Sequence, residues 1–294
     1  MSTEITKAHS QQYAAAVELL VQQEQSRLRM AVRSNSYTGK AAQIVQQVGA
    51  ITLVDHVRHA DTPIINTPHD VRWLRPTDKE GAQIVDKQDF LRMIADPRNA
   101  YAQTGAAAAN RAIDEAIIAA FYGTALTGED MGTSIVWDTY VGTNMSHEVD
   151  PTGASNLTVA KLRAAKKALM AENVDVDRDP LFCVINASMH DSLLSETLAV
   201  SLDYQTRPVL EEGRIRGFMG FNFIHTELVP SRNSSKHSAL VFAKSGMAVG
   251  IWGEVMGRVD ELPGKSYATQ VYTAVTVGAS RVEEKKCVEI VCAD

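Results

Sequence analysis

Residues Asp55 to Pro76 read D-H-V-R-H-A-D-T-P-I-I-N-T-P-H-D-V-R-W-L-R-P. His56, His59, Asp61, His69 and Asp70 crowd into this window and invite a metal site. The apolar residues point elsewhere. Ile51, Leu53 and Val57 alternate with polar or charged neighbours, and so do Val71 and Trp73. Thr62-Pro63 and Thr67-Pro68 lie between them, each proline fixing its own φ and pushing its predecessor toward extended backbone. Period-two alternation between such breakers predicts two strands joined by a long arm over 45–86. Residues three apart in a strand face opposite sides, so His56 and His59 do not converge on one ion. The arm's charged residues (Arg58, His59, Asp61, His69, Asp70, Arg72 and Arg75) are read instead as inter-subunit contact candidates. Trp73 is the candidate aromatic anchor. With strands of about fifteen residues, such a ribbon reaches about 50 Å and is marginal alone in water. The chain has no obvious spare sheet to support it, so a neighbouring subunit is expected to do so.

The rest of the chain sets bounds. Its 294 residues, 45% hydrophobic, are ample for a core. A formal charge of -6 argues against a basic nucleic-acid-reading surface, though not against a protein lying near DNA. No apolar run approaches the roughly 20 residues of a membrane span, and Met1-Ser-Thr-Glu-Ile-Thr-Lys7 lacks a signal-peptide pattern. A cytosolic place of synthesis and assembly is therefore expected. Cys183, Cys287 and Cys292 form no Cys-x-x-Cys pair and are read as small buried hydrophobes.

Apolar residues at helical spacing predict a helix over 10–33, too thinly amphipathic to bury itself and so read as an N-terminal arm. A short helical stretch from Lys87 to Ala95 precedes Asp96-Pro97, which can cap and start a long helix. One face of that helix carries Tyr101, Ala108, Ala109, Ala112, Ile113, Ala116, Ile117 and Phe121. Gly123 is expected to end it in a left-handed conformation. Thr158 caps a second helix to about Glu172, and Leu181 to Ile185 reads as a buried strand followed by a short helix over 187–194. Further strands are expected at 134–137, 222–226, 239–243, 248–252, 271–279 and 287–291. Helices and strands interleave without a βαβ repeat, so the fold class is α+β.

The chemical motifs fail on inspection. Gly264-Lys265-Ser266 resembles the tail of a phosphate loop, but residue 259 is valine and a strand follows. Ser245-Gly246 has no surrounding triad context. No catalytic constellation and no cofactor motif survives. A metal-dependent hydrolase centred on His56, His59, Asp61 and His69 is kept only as the rival reading.

The order of parts resembles the Hong Kong 97-type capsid fold, and the residues resemble one tailed-phage major capsid protein family built on it. R-H-A-D-T-P-x-x-x-T-P-H-D-x-R-W (Arg58 to Trp73) is similar to that family's extended loop. D-P-x-x-x-Y-A-Q (Asp96 to Gln103) resembles the start of its spine helix, followed by T-A-x-T-G-E-D (Thr124 to Asp130). L-x-x-A-K-x-x-L (Leu162 to Leu169), A-K-S-G-x-A-x-G-I (Ala243 to Ile251) and Y-A-T-Q-V-Y (Tyr267 to Tyr272) continue the likeness. The resemblance implies an N-terminal arm over 1–44, an extended loop over 45–86 and a peripheral domain over 87–180 with its spine helix at 97–122. An axial domain over 181–255 and C-terminal strands over 256–294, returning to the peripheral domain, complete it.

The implied role is structural, not enzymatic, and needs no cofactor. Pentamers and hexamers of this chain would form an icosahedral shell around double-stranded DNA. Packaged DNA would lie close without specific recognition, and scaffolding, portal and cement proteins are possible partners. A protein-packaging compartment of the same fold is a further alternative. Lys79 and Lys87 lie near the loop, but no signature of an isopeptide crosslink accompanies them.

Overall fold

The computed structural model describes residues 22–56, 58–59, 61–86, 98–196, 214–233 and 236–293. The expected helix over 87–95, its Asp96-Pro97 successor and residues 10–21 of the N-terminal helix lie outside them. The first elements are β1 (Arg33–Ser36), β2 (Ala42–Val48), β3 (His69–Leu74) and β4 (Thr77–Val85). Then come α1 (Arg98–Tyr122), β5 (Ala125–Thr127), β6 (Thr133–Ile135), α2 (Trp137–Thr143), β7 (Glu148–Val149) and α3 (Val159–Ala171). Next are β8 (Leu181–Ile185), α4 (Ala187–Ser195), β9 (Gly217–Phe218), β10 (Phe221–His225) and β11 (Ser231–Asn233). The chain closes with β12 (Lys236–Ala243), β13 (Met247–Leu262), β14 (Ala268–Arg281) and β15 (Cys287–Ala293). The mixture is α+β, as the interleaved periodicities predict. No helix among the described residues is long and apolar enough to cross a membrane.

Two compact units share the chain. Of the described residues, the smaller holds 22–25, 78–86, 98–112 and 253–275. In it, the small residues Gly105, Ala108, Ala109 and Ala112 of α1 face Val271, Thr273 and Val275 of β14 across a cavity of about 330 Å³. Gly105 is required there, because a Cβ would run into the Thr273 side chain. Asn110 and Arg111 tie down the incoming chain: Asn110 Nδ2 donates to the Glu24 carbonyl, and Arg111 Nη1 to Gln22 Oε1 at 2.9 Å.

The larger unit holds Ser26–Thr77, Ile113–Trp252 and Thr276–Asp294. Its core is a seven-stranded sheet in the order β7-β15-β12-β8-β10-β9, with β11 paired to β12. β12 and β15 are largely apolar and almost wholly buried, as strands covered on both sides must be. Leu162, Ala165 and Leu169 of α3 are buried, and the helix packs on β15. Thr158 is its N-cap, accepting from Lys161 N. β15 pairs with β12 from Lys236↔Ala293 to Phe242↔Cys287. The last strand therefore completes the sheet that contains β8 and β10. Its apolar residues, interrupted by the buried Glu289, lie between β7 and β12.

Two local expectations are corrected. Residues 22–33 are not helical: only Arg29–Ala31 form a 3-10 turn, and β1 pairs in parallel with β13 over Arg33↔Ala248 to Ser36↔Ile251. The fully buried Asp114 explains this, because its carboxylate accepts from Ser26 Oγ, Arg27 N and Leu28 N. Those backbone donors are lost to a helix. Gly123 does not adopt a positive φ. The C-terminal carbonyls of α1 are capped instead by Arg281, whose Nη1 donates to the Ala120 and Phe121 oxygens.

Candidate functional site

β2 and β3 form an antiparallel hairpin with register Ala42↔Leu74 to Val48↔His69. Gly49 N donates to the Pro68 carbonyl at 2.8 Å and closes the base of the connection between the two strands. The strands are shorter than the fifteen residues expected. Residues 50–68 hold no strand among those described, because their two X-Pro steps remove ladder donors. Four of its large apolar side chains lie in water. Ile64 is 94% exposed, Leu53 83%, Val54 65% and Ile51 50%.

The eight candidate residues divide. Arg58, His59 and Asp61 are exposed on the loop, His69 and Arg75 at the ends of β3, and none of their side chains has a partner among the described residues. Asp70, Arg72 and Trp73 are engaged within their own chain. Asp70 accepts from Thr127 Oγ1, Val71 N and Gly128 N. Partial burial opposes its ionisation, but these bonds and the charge of Arg72 outweigh it and hold the carboxyl below its usual range. The Trp73 indole donates to the Gly128 carbonyl at 2.7 Å. Arg72 is only 4% exposed and pairs with Glu284 at 2.7 Å.

That pair belongs to a buried ionic cluster which sequence reading missed. Arg281, with no exposed surface, lies 3.7 Å from Glu284 and also donates to the Ile135 carbonyl. Its guanidinium stacks 5.3 Å from the Trp137 ring centre. Gln47 of β2 donates to the Val282 carbonyl at 2.6 Å. Gly278 lets β14 approach the chain after β3, since a Cβ there would strike the Arg75 carbonyl. The hairpin root is thus bound on several sides while its loop is free. The run Arg281-Val-Glu-Glu-Lys-Lys286 looks like a solvated surface in sequence. Only the spacing of Arg281 and Glu284, three apart in a chain turning back, held a signal.

The metal reading gains nothing. Among the described residues, no group of three or more His, Cys, Asp and Glu side chains is placed to hold a metal ion. The three thiols are buried and free, and burial pushes each of them up.

A second cluster lies where α4 meets β10. The His190 and His225 rings cross at 4.5 Å and 80°, and Ile215 N donates to His190 Nε2 at 3.2 Å. Burial, then the positive charge of neighbours including Arg214, pushes both imidazoles down, His225 to about 4.

A profile of the family described as phage capsid protein matches residues 5–294. The chain belongs to that family. Among proteins of curated function no relative matches it. The capsid protein's fold is shared with solved capsids of low sequence identity. Against the capsid of cyanophage P-SCSP1u it is 14% identical with a TM-score of 0.75, covering 100% of this chain and 96% of that one. A structure of Mycobacterium phage Che8 gives 17% identity and a TM-score of 0.70, with 96% of each chain covered. The cyanophage Pam1 capsid gives 12% and 0.72, covering 98% and 97%. The fold is the Hong Kong 97-type, and the capsid protein is a structural subunit of a virion shell, not an enzyme.

Proposed function

We propose that the capsid protein closes its shell by laying the loop of residues 49–68 over an adjacent copy, within pentamers and hexamers that enclose double-stranded DNA. One observation carries this reading: an exposed apolar loop stands on a root held by buried ion pairs. The root fixes direction, and the loop supplies about 1.5–3 kcal/mol for each large aliphatic side chain that becomes fully buried. A contact between a loop on one copy and a different surface on the next is heterologous, and such contacts close into rings. Weak contacts repeated around a ring then act together. Arg58, His59, Asp61, His69 and Arg75 form the polar rim of this contact. Assembly in the host cytoplasm, with scaffolding, portal and cement proteins joining where the particle needs them, belongs to the same proposal.

Electron microscopy of the purified full chain tests it. The intact chain should form shells or rings, and a variant with residues 51–66 replaced by a short turn should stay soluble and unassembled. Normal particles from that variant would remove the loop from the assembly account.

A further inference from the structure

Helix α3 carries Lys161, Arg163, Lys166 and Lys167 and no acidic residue, in a chain with 35 Asp and Glu against 29 Lys and Arg. Lys161 is explained by its surroundings. It is buried, pairs with Asp150 at 2.9 Å and donates to the Ser155 and Val291 carbonyls. The other three stand together at i, i+3 and i+4. Arg163 and Lys167 are exposed and have no hydrogen-bond or ion-pair partner among the described residues. Lys166 donates to the Met219 carbonyl, which leaves its charge uncompensated.

Like charges at this spacing repel and weaken a helix. The helix dipole offers no offset, because the cations sit mid-helix and the last turn holds none. Beside them lies an open depression of about 430 Å³, bordered also by Met170 and Met219. Arg163 and Lys167 therefore face outward at a cost to the helix, with no hydrogen bond or ion pair among the described residues, beside the ammonium of Lys166.

We propose that this face of α3 docks the phosphate backbone of packaged duplex DNA. The proposal rests on the reading of the chain as a shell subunit around a DNA genome. A duplex presents one negative charge per about 1.7 Å of axis whatever its sequence. Three long, flexible cations can engage such a line in any register, whereas an acidic protein segment must match their positions. The net negative charge of the chain keeps the contact local and weak, which suits DNA that must be packed and released.

The test uses the full-length wild-type chain and an R163Q/K167Q variant, with a short mixed-sequence DNA duplex as the probe. Fluorescence anisotropy across salt concentrations gives the slope of log affinity against log salt. Removing two phosphate contacts should make that slope shallower by about 1.8, and R163K/K167R should restore it. An unchanged slope would overturn the proposal. So would displacement of the duplex by an equal charge concentration of poly-glutamate, which would assign the face to an acidic protein. The variant should still form shells by electron microscopy; loss of shells would make α3 an assembly surface instead. Failure of the wild type to form shells would count against the subunit reading, while the duplex titration still judges the α3 face.

Discussion

Arg281 has no exposed surface, yet it joins three parts of the larger unit at once. It caps the carbonyls of α1, holds the Ile135 carbonyl and shares Glu284 with Arg72. Two buried guanidinium groups depend on that single carboxylate. Removing one partner of such a buried set costs about 3–5 kcal/mol, because charge is left without compensation. Glu284→Ala should therefore lower stability by about that amount in urea denaturation. A loss no larger than that of an ordinary surface substitution would show that the cluster holds nothing together.

The His190–His225 pair gives a pH dependence with a definite sign. Folding holds both rings neutral, so the unfolded chain binds more protons between the ordinary imidazole value of 6.5 and about 4. Stability must then fall as pH is lowered through that window. Arg27 and Arg214 add positive charge to the site, while Asp191 and Glu227 are the carboxylates near it. Protonating His190 also removes the acceptor for Ile215 N. Denaturant midpoints measured at neutral pH and near pH 5 should drop in the wild type, and His225→Gln should shrink the drop. An equal drop in both proteins would clear the pair of this role. The lowered carboxylates, such as Asp150 at about 2, act only at more acid pH.

At the scale of elements, what could be read in the sequence depended on where the stabilising contacts lie. The strand Leu181–Ile185 is read at its observed ends, because a continuous apolar run has only one way to be buried. Helix α3 carries its own start signal in Thr158. Thr158→Ala should cost about 1 kcal/mol of stability by thermal unfolding, with α3 losing helicity from its first turn. An unaffected α3 would mean that Glu196, which accepts from Val159 N, suffices as the cap.

The candidate site was only half legible for the same reason. Alternation marked the hairpin, and Arg58, His59 and Asp61 are exposed on its loop. Asp70, Arg72 and Trp73 look identical in sequence, but their partners Thr127, Glu284 and Gly128 lie 57, 212 and 55 residues away. No local pattern reports such pairings. The N-terminal prediction failed in the same manner, since Asp114 takes the backbone donors of Arg27 and Leu28 from 86 or more residues away. A Leu53→Asp/Ile64→Asp double variant belongs to this scale as well. Both side chains are in water, so the subunit should fold normally by circular dichroism and fail to assemble by light scattering. Unimpaired assembly would mean that these apolar side chains are not what the loop offers.

The whole molecule divides between a hairpin root that is fixed and a loop that is exposed. The buried cluster of Arg72, Arg281 and Glu284 is far from any exposed apolar residue of the loop in chemical character, and each serves a different end. In the proposed contact, rigid anchoring lowers the ordering cost of association, while the exposed aliphatic side chains supply the gain. A family profile spanning residues 5–294 and shared capsid folds place such a subunit in a shell. The measurement that tests the central claim most directly is electron cryomicroscopy of the assembled particle at side-chain resolution. Leu53 and Ile64 should be buried against an adjacent copy, with the Arg72–Glu284 pair intact at the root. A loop that remains in solvent, or folds back over its own subunit, would contradict the account.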